Sequence, residues 1–154
     1  MIRTLFLTLF FSGKSPKAPG TVGSLLALFL GIPIVLYSIE TIILLAILIG
    51  MIAIKQIDIY ETQNKIHDPK EIVIDELVGM WISMGIGSSF GFDYKVAIIS
   101  FILFRIYDIT KISIIGTIDK KVKGGLGVIL DDAVAGIIAG FSTLIVLRIL
   151  ELFS

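Results

Sequence analysis

The 154-residue chain is expected to be one domain, residues 1–154. It is 56% hydrophobic and only 17% charged, against about 25% charged in typical globular domains. With a mean hydropathy of +1.01, it has too little polar sequence to clothe a soluble domain, and a membrane protein is expected. The formal net charge is zero and no basic run is interleaved with aromatics, which sets nucleic acid aside as a partner. The absence of Cys excludes disulfides, zinc–thiolate sites and cysteine nucleophiles together.

The chain opens with "MIRTLFLTLFFSG", which has one positive charge and a short apolar run with no clean small-residue cleavage site after it. It reads as an interfacial or packed segment rather than a signal peptide. The next stretch, "GKSPKAPGTVGSLLAL", is stiffened by Pro16 and Pro19 before a helix beginning at Gly20-Thr21, with Thr21 or Ser24 available to cap it. A helix start flanked by Lys14 and Lys17 suits an anion, although the spacing is not that of a P-loop.

Apolar runs at about 22–39, 41–57, 77–92, 95–107 and 133–150 are long for strands and rich in Leu, Ile, Ala, Met and Gly. They predict helices, several of them near or below the roughly 17–25 residues that a spanning helix needs. If these runs cross alternately from an inside N-terminus, Arg3, Lys14, Lys17, Lys55, Lys65, Lys70, Arg105, Lys111, Lys120, Lys121 and Lys123 lie inside. Only Lys95 and Arg148 lie outside, a strong positive-inside bias. The fold class expected is therefore all-α: a compact helical bundle, integral to the membrane, with about four to five short apolar helices. Its polar motifs, "GKSPKAPGT", "HDPKEIVIDE", "RIYDITK" and "GGLGVILDD", meet at one cytoplasmic end.

Two adjacent-acid pairs, Asp75-Glu76 and Asp131-Asp132, each precede an apolar run. Acids are favoured at helix N-termini by about 0.3–1 kcal/mol. Both pairs, however, are embedded between Ile/Val and Leu/Val, where an ionised carboxylate is costly unless it is paired or bound to metal. Carboxylates without sulfur or clustered histidine suit a hard ion, Mg²⁺ first. Asp108, Asp119 and Asp68 are further acids on the same face, with Asp119 the weakest because it adjoins Lys120 and Lys121. Lys14, Lys17, Arg105 and Lys111 supply the opposite sign, and Asp108 is within helical reach of Arg105. "GGLG" at 124–127 reads as a bend that brings backbone close to a ligand or to the membrane surface. Gly136 and Gly140 in "GIIAG" read as a helix-packing face. His67, the only histidine, reads as a solvated loop residue.

Bases, carboxylates and a hard metal together point to phosphoryl chemistry. With no Cys, one His and no Asp-x-Asp-x-Thr after a strand, the covalent routes are mostly closed and an activated water remains. Two rival classes fit less well. A phospholipid phosphotransferase would carry Asp-Gly-x-x-Ala-Arg, which "DDAVAG" does not match, and a cation-coupled carrier would place its acids near mid-membrane.

Four segments, "SGKSPKAPGTVGSL", "HDPKEIVIDELVGMW", "FRIYDITK" and "GGLGVILDDAVAG", resemble the phosphatidylglycerophosphatase A family in order and spacing over residues 11–141. The resemblance implies a Mg²⁺-dependent phosphatase converting phosphatidylglycerophosphate to phosphatidylglycerol. It also implies a bacterial inner membrane, an active site facing the cytoplasm, and the bilayer as partner. Lys14, Pro19, Gly20 and Thr21 fall on the family's first loop and Asp75, Glu76 and Gly79 on its Asp-Glu motif. Arg105, Asp108 and Lys111 fall on the third motif, and Gly125, Gly127, Asp131 and Asp132 on the last. After Lys111 this chain reads "KISII" where the family usually has prolines. The mechanism expected has Asp75, Glu76, Asp131 and Asp132 holding Mg²⁺ and serving catalysis together with Asp108. Lys14, Thr21, Arg105 and Lys111 hold the substrate phosphate. A homo-oligomer is compatible with "GIIAG".

Overall fold

The structure, a computed structural model, describes residues 1–66, 69–112 and 114–153. Among the described residues it is helical throughout, with no strand. The helices are α1 (Ile2–Leu7), α2 (Pro19–Tyr37), α3 (Ile39–Asn64), α4 (Ile74–Gly87), α5 (Tyr94–Thr110), α6 (Ile114–Lys121) and α7 (Gly124–Leu152). A single 3-10 turn, Ser12–Lys14, precedes α2.

Local chemistry sets most of the boundaries. Pro19 opens α2 at the position where a missing N–H costs nothing. Ser38 alone separates α2 from α3, and its hydroxyl accepts the Thr41 N–H at 3.0 Å as the N-cap. Asp93 caps α5 by accepting the Lys95 N–H. At their other ends α3 and α5 stop at Lys65 (φ 55°) and Lys111 (φ 46°), both in the left-handed conformation.

Among the described residues, three helices are long and apolar enough to cross a bilayer: α2 with 19 residues, α3 with 26 and α7 with 29. At 1.5 Å per residue they extend about 28, 39 and 44 Å, against a hydrocarbon thickness of about 30 Å. Their outward faces carry Leu25, Phe29, Leu36, Leu44, Met51, Phe141 and Ile145, all exposed, as lipid-facing positions require. The expectation of short helices holds for α4 and α5 and not for these three.

α4 is the axis of the bundle. Only 14 residues long, about 21 Å, it is not one of the spanning helices. Every residue in it except Asp75 and Ile86 is buried, and it packs against α2, α3, α5 and α7. Glycine brings α7 this close, since a Cβ at Gly136 would lie 2.2 Å from the Gly79 carbonyl oxygen. Gly140 meets α4 in the same way at Ile86 and Ser83. "GIIAG" is thus a packing face used inside the chain. The buried Trp81 indole N–H is satisfied by the Ala27 carbonyl of α2 at 2.8 Å.

The chain direction alternates from α2 to α5 and again at α7, so the starts of α2, α4 and α7 and the ends of α3 and α5 share one end. The four polar segments gather there. His67 and Asp68 of the second segment lie outside the described residues.

Candidate active site

That end encloses a cavity of about 240 Å³. Among the described residues it is lined by six carboxylates (Asp75, Glu76, Asp108, Asp119, Asp131 and Asp132) and by Lys70 and Lys111. Pro19 and Gly20 bring the start of α2 to its wall, and Gly124 and Gly127 bring the start of α7.

The acid pairs come from different local structures. Asp75 and Glu76 lie in the first turn of α4, where unpaired N–H groups favour negative charge. Asp131 and Asp132 do not lie at a helix start. α7 begins at Gly124, so they sit two turns inside it, beyond the reach of the terminus. The early start has a cause in α3. Gly124 adopts φ +73°, and the Asp58 carboxylate accepts the Gly125 N–H at 2.7 Å. A Cβ at Gly125 would lie 2.2 Å from the Ile54 carbonyl, so "GGLG" makes a close approach to α3 as well as walling the cavity.

Asp75, Glu76 and Asp132 each present a carboxylate oxygen within 4.8 Å of the other two. Asp75 Oδ1, Glu76 Oε2 and Asp132 Oδ2 are buried without a hydrogen-bond partner. Burial and the charge of Glu76 push the Asp75 carboxyl well up. Burial, then Asp132, push Glu76 up to about 8. Three acids with carboxylates close to one another, each with a buried oxygen left without a partner, form the donor set of a hard cation, and the residues fit Mg²⁺ on that ground. Asp131 does not join this trio. It is 4% exposed and its Oδ2 takes a short hydrogen bond from Lys111 Nζ.

Lys111 bridges Asp131 and Asp119, the latter at 2.9 Å. Burial opposes its charge, but the hydrogen bonds to the two aspartates outweigh it and hold the ammonium above its usual range. Asp119 is therefore at the cavity rather than simply solvated beside Lys120. Arg105 hydrogen-bonds Asp108 one turn on and reaches the Glu76 carboxylate at 3.9 Å. It also donates to the hydroxyls of Ser24 and Thr21, both at 3.3 Å. Thr21 and Ser24 do not cap α2: its N-cap is Ala18, with no side-chain bond, and Ser24 donates back to the Gly20 carbonyl at 2.8 Å. Thr21 supports the guanidinium rather than lining the cavity.

Lys14 is not brought to the cavity either. It is exposed, with its ammonium 5.4 Å from the centre of the Phe11 ring. Besides Lys111, the lysine that lines the wall is Lys70, which the sequence marks only by its side of the membrane.

The family model described as phosphatidylglycerophosphatase A matches residues 5–147. The chain belongs to the phosphatidylglycerophosphatase A family. It is 38% identical to a phosphatidylglycerophosphatase A of Escherichia coli over 84% of this chain and 74% of that protein. A phosphatidylglycerophosphatase A of Haemophilus influenzae is 32% identical over 84% of this chain and 79% of its own. A putative phosphatidylinositol-3-phosphatase of Bacteroides thetaiotaomicron is 34% identical, covering 83% and 82%. No solved structure matches the chain significantly. Membership makes this a lipid phosphatase with membrane helices and bacterial relatives.

Within this phosphatidylglycerophosphatase A fold, Gly20 of α2 lies against Glu76 of the acid trio. A Cβ there would fall 2.3 Å from Glu76 Oε1 and 3.3 Å from Arg105 Nη2. Both are ends of flexible side chains, so Gly20→Ala is expected to keep the fold while displacing them. The expected result is a drop of roughly tenfold or more in turnover with a melting temperature within a few degrees of wild type. Paired turnover and thermal-melt measurements check it. Asp58 was not marked by sequence at all; its signal is an acid in the polar tail of an otherwise apolar helix.

Proposed function

We propose that the chain hydrolyses the terminal phosphomonoester of phosphatidylglycerophosphate, giving phosphatidylglycerol and inorganic phosphate, with Mg²⁺ held by Asp75, Glu76 and Asp132. The observation that carries this is the trio of carboxylates with buried, unpartnered oxygens, beside Arg105 and in a cavity that Lys111 also lines, in a chain of this family. A hard cation bound there supplies positive charge to phosphoryl oxygens and lowers the pKa of water. Water attacks phosphorus, the ester P–O bond breaks, and a proton lost by the water is returned to the departing alcohol oxygen.

The chain's own groups shape that step. Arg105, steadied by Asp108, Thr21 and Ser24, offers its guanidinium edge to the developing negative charge. Lys111 keeps Asp131 engaged, so that only the trio is free to accept a cation or a proton. Buried α4 holds Asp75 and Glu76 on a rigid element, and Gly136 against Gly79 fixes α7, and with it Asp132, beside them. The positive-inside distribution supports a cytoplasmic position for this end: Lys95 and Arg148 are the basic residues at the other.

The test is phosphate release by detergent-purified protein, with Mg²⁺ and with EDTA. The lipids compared are phosphatidylglycerophosphate, phosphatidylinositol 3-phosphate and phosphatidate. Mg²⁺-dependent release, fastest from phosphatidylglycerophosphate, is the expected result. Preference for the inositol lipid would align the chain with its Bacteroides relative. Release undiminished by EDTA would remove the metal from the reading.

A further inference from the structure

We infer that Lys70 forms a second anion subsite at the cavity, taking the phosphodiester of a lipid whose terminal phosphomonoester is being removed. The inference rests on the phosphatase reading above and names what that site recognises besides the scissile group.

The cavity's other cations already have carboxylate partners. Lys111 is bonded to Asp119 and Asp131, and Arg105, just behind the wall, to Asp108, Thr21 and Ser24. Lys70 lines the same cavity, is exposed, and has no carboxylate partner among the described residues. Its neighbour Glu71 forms no ion pair with it; that carboxylate takes a short hydrogen bond from the Tyr60 hydroxyl of α3.

The backbone that carries Lys70 is held on both sides. The Pro69 carbonyl accepts the Ile72 N–H at 2.9 Å, closing a turn around Lys70 and Glu71. The Val73 N–H then bonds the Leu7 carbonyl at 3.0 Å, and Ile72 and Val73 are buried. Gly13 lies so close that a Cβ there would be 2.0 Å from the Glu71 carbonyl oxygen. The ammonium therefore stands on a fixed base two residues from Ile72, another cavity-lining residue, with its own charge unspent.

Two kinds of anion could use it. A cation at the trio would hold the scissile phosphate with Arg105 nearby, and Lys70 belongs to neither group. The relatives are named for phosphatidylglycerophosphate and phosphatidylinositol 3-phosphate, and both lipids carry a phosphodiester besides the monoester. Lys70 at the wall fits the diester, which lies between the headgroup and the acyl chains.

Lys70→Gln, Lys70→Arg and wild type are compared for KM and kcat on phosphatidylglycerophosphate and for inhibition by inorganic phosphate, which occupies the monoester position alone. Lys70→Gln is expected to raise KM roughly tenfold, the scale of one charge-assisted contact, and to leave kcat within a few-fold. Its inhibition constant for inorganic phosphate stays at the wild-type value, and Lys70→Arg keeps most of the affinity. An unchanged KM would overturn the subsite. KM and the phosphate inhibition constant rising together would place Lys70 on the scissile phosphate instead, which also overturns it. Inactive wild type would sink the functional reading and this inference with it; active wild type with either variant outcome sinks this inference alone.

Discussion

Asn in place of Asp132 is expected to end turnover while leaving the metal-free protein at least as stable as wild type. The two effects have one origin. Asp75, Glu76 and Asp132 bring carboxylate oxygens within 4.8 Å of one another, and each keeps one oxygen buried without a hydrogen-bond partner. Like charges at that range repel by about 3–4 kcal/mol per pair at an effective dielectric near 20, before protonation relieves them. Without a cation the trio opposes folding; with one it becomes the binding site. Asp132→Asn, a near-isostere, removes one charge without opening a cavity. Turnover should fall by roughly three orders of magnitude, the scale of losing one charge-stabilising group. In EDTA the variant should melt at or above the wild-type temperature. Millimolar Mg²⁺ should raise the melting temperature of wild type by mass action and of the variant little.

Glu76 gives the pH signature. Its folded pKa of about 8 lies above the ordinary carboxylate value of 4.5, so the folded state holds a proton that the unfolded state has lost between those values. Metal-free wild type therefore gains stability from this group as pH falls from 8 toward 4.5, and loses it as pH rises. Glu76→Gln should flatten that slope. A variant of Asp132 with near-normal turnover would remove it from the site, and a lower melting temperature in EDTA would make its carboxylate structural.

The family, the all-helical class and the gathering of four polar segments at one end were legible in the sequence, because motif spacing and loop charge survive without coordinates. Helix identity within the bundle was not. In a membrane, core-facing and lipid-facing positions are both apolar, so hydropathy gives no sign that α4 is the shielded axis. The start of α7 was missed for a local reason: "GGLG" reads as a bend ahead of the apolar run at about 133–150. Gly124 in the left-handed region and the distant Asp58 carboxylate turn it into a first turn. That shift moves Asp131 and Asp132 from a terminus to the helix interior and removes plain capping as their explanation. Lys14 and Lys70 show the limit for side chains. Both are lysines in Pro-containing loops on the same side, yet Lys70 lines the cavity and Lys14 does not, a difference set by long-range backbone contacts such as Val73 to Leu7 that spacing does not reveal.

Lys111→Met should cost stability because of what it leaves behind. Asp131 is 6% exposed at its side chain, and Lys111 is its only ion-pair partner among the described residues. Breaking a fully buried pair from one side costs roughly 3–5 kcal/mol; with Lys111 35% exposed, about 2–3 kcal/mol is the fitting expectation. The partner change, Asp131→Asn, leaves a lysine that can reach water and still bonds Asp119, so it should cost less. The double variant removes both charges and should recover much of the loss of Lys111→Met, a coupling that a double-mutant cycle of melting temperatures reads directly. Activity should not follow stability. Freed from Lys111, Asp131 can compete with the trio for a cation or a proton, so Lys111→Met should lower turnover at saturating Mg²⁺. The double variant, with no fourth charge to interfere, should regain stability but still lack an ammonium beside the phosphate. If the double variant regains full turnover, Lys111 serves only to neutralise Asp131; if it stays impaired with stability restored, Lys111 acts on the substrate as well.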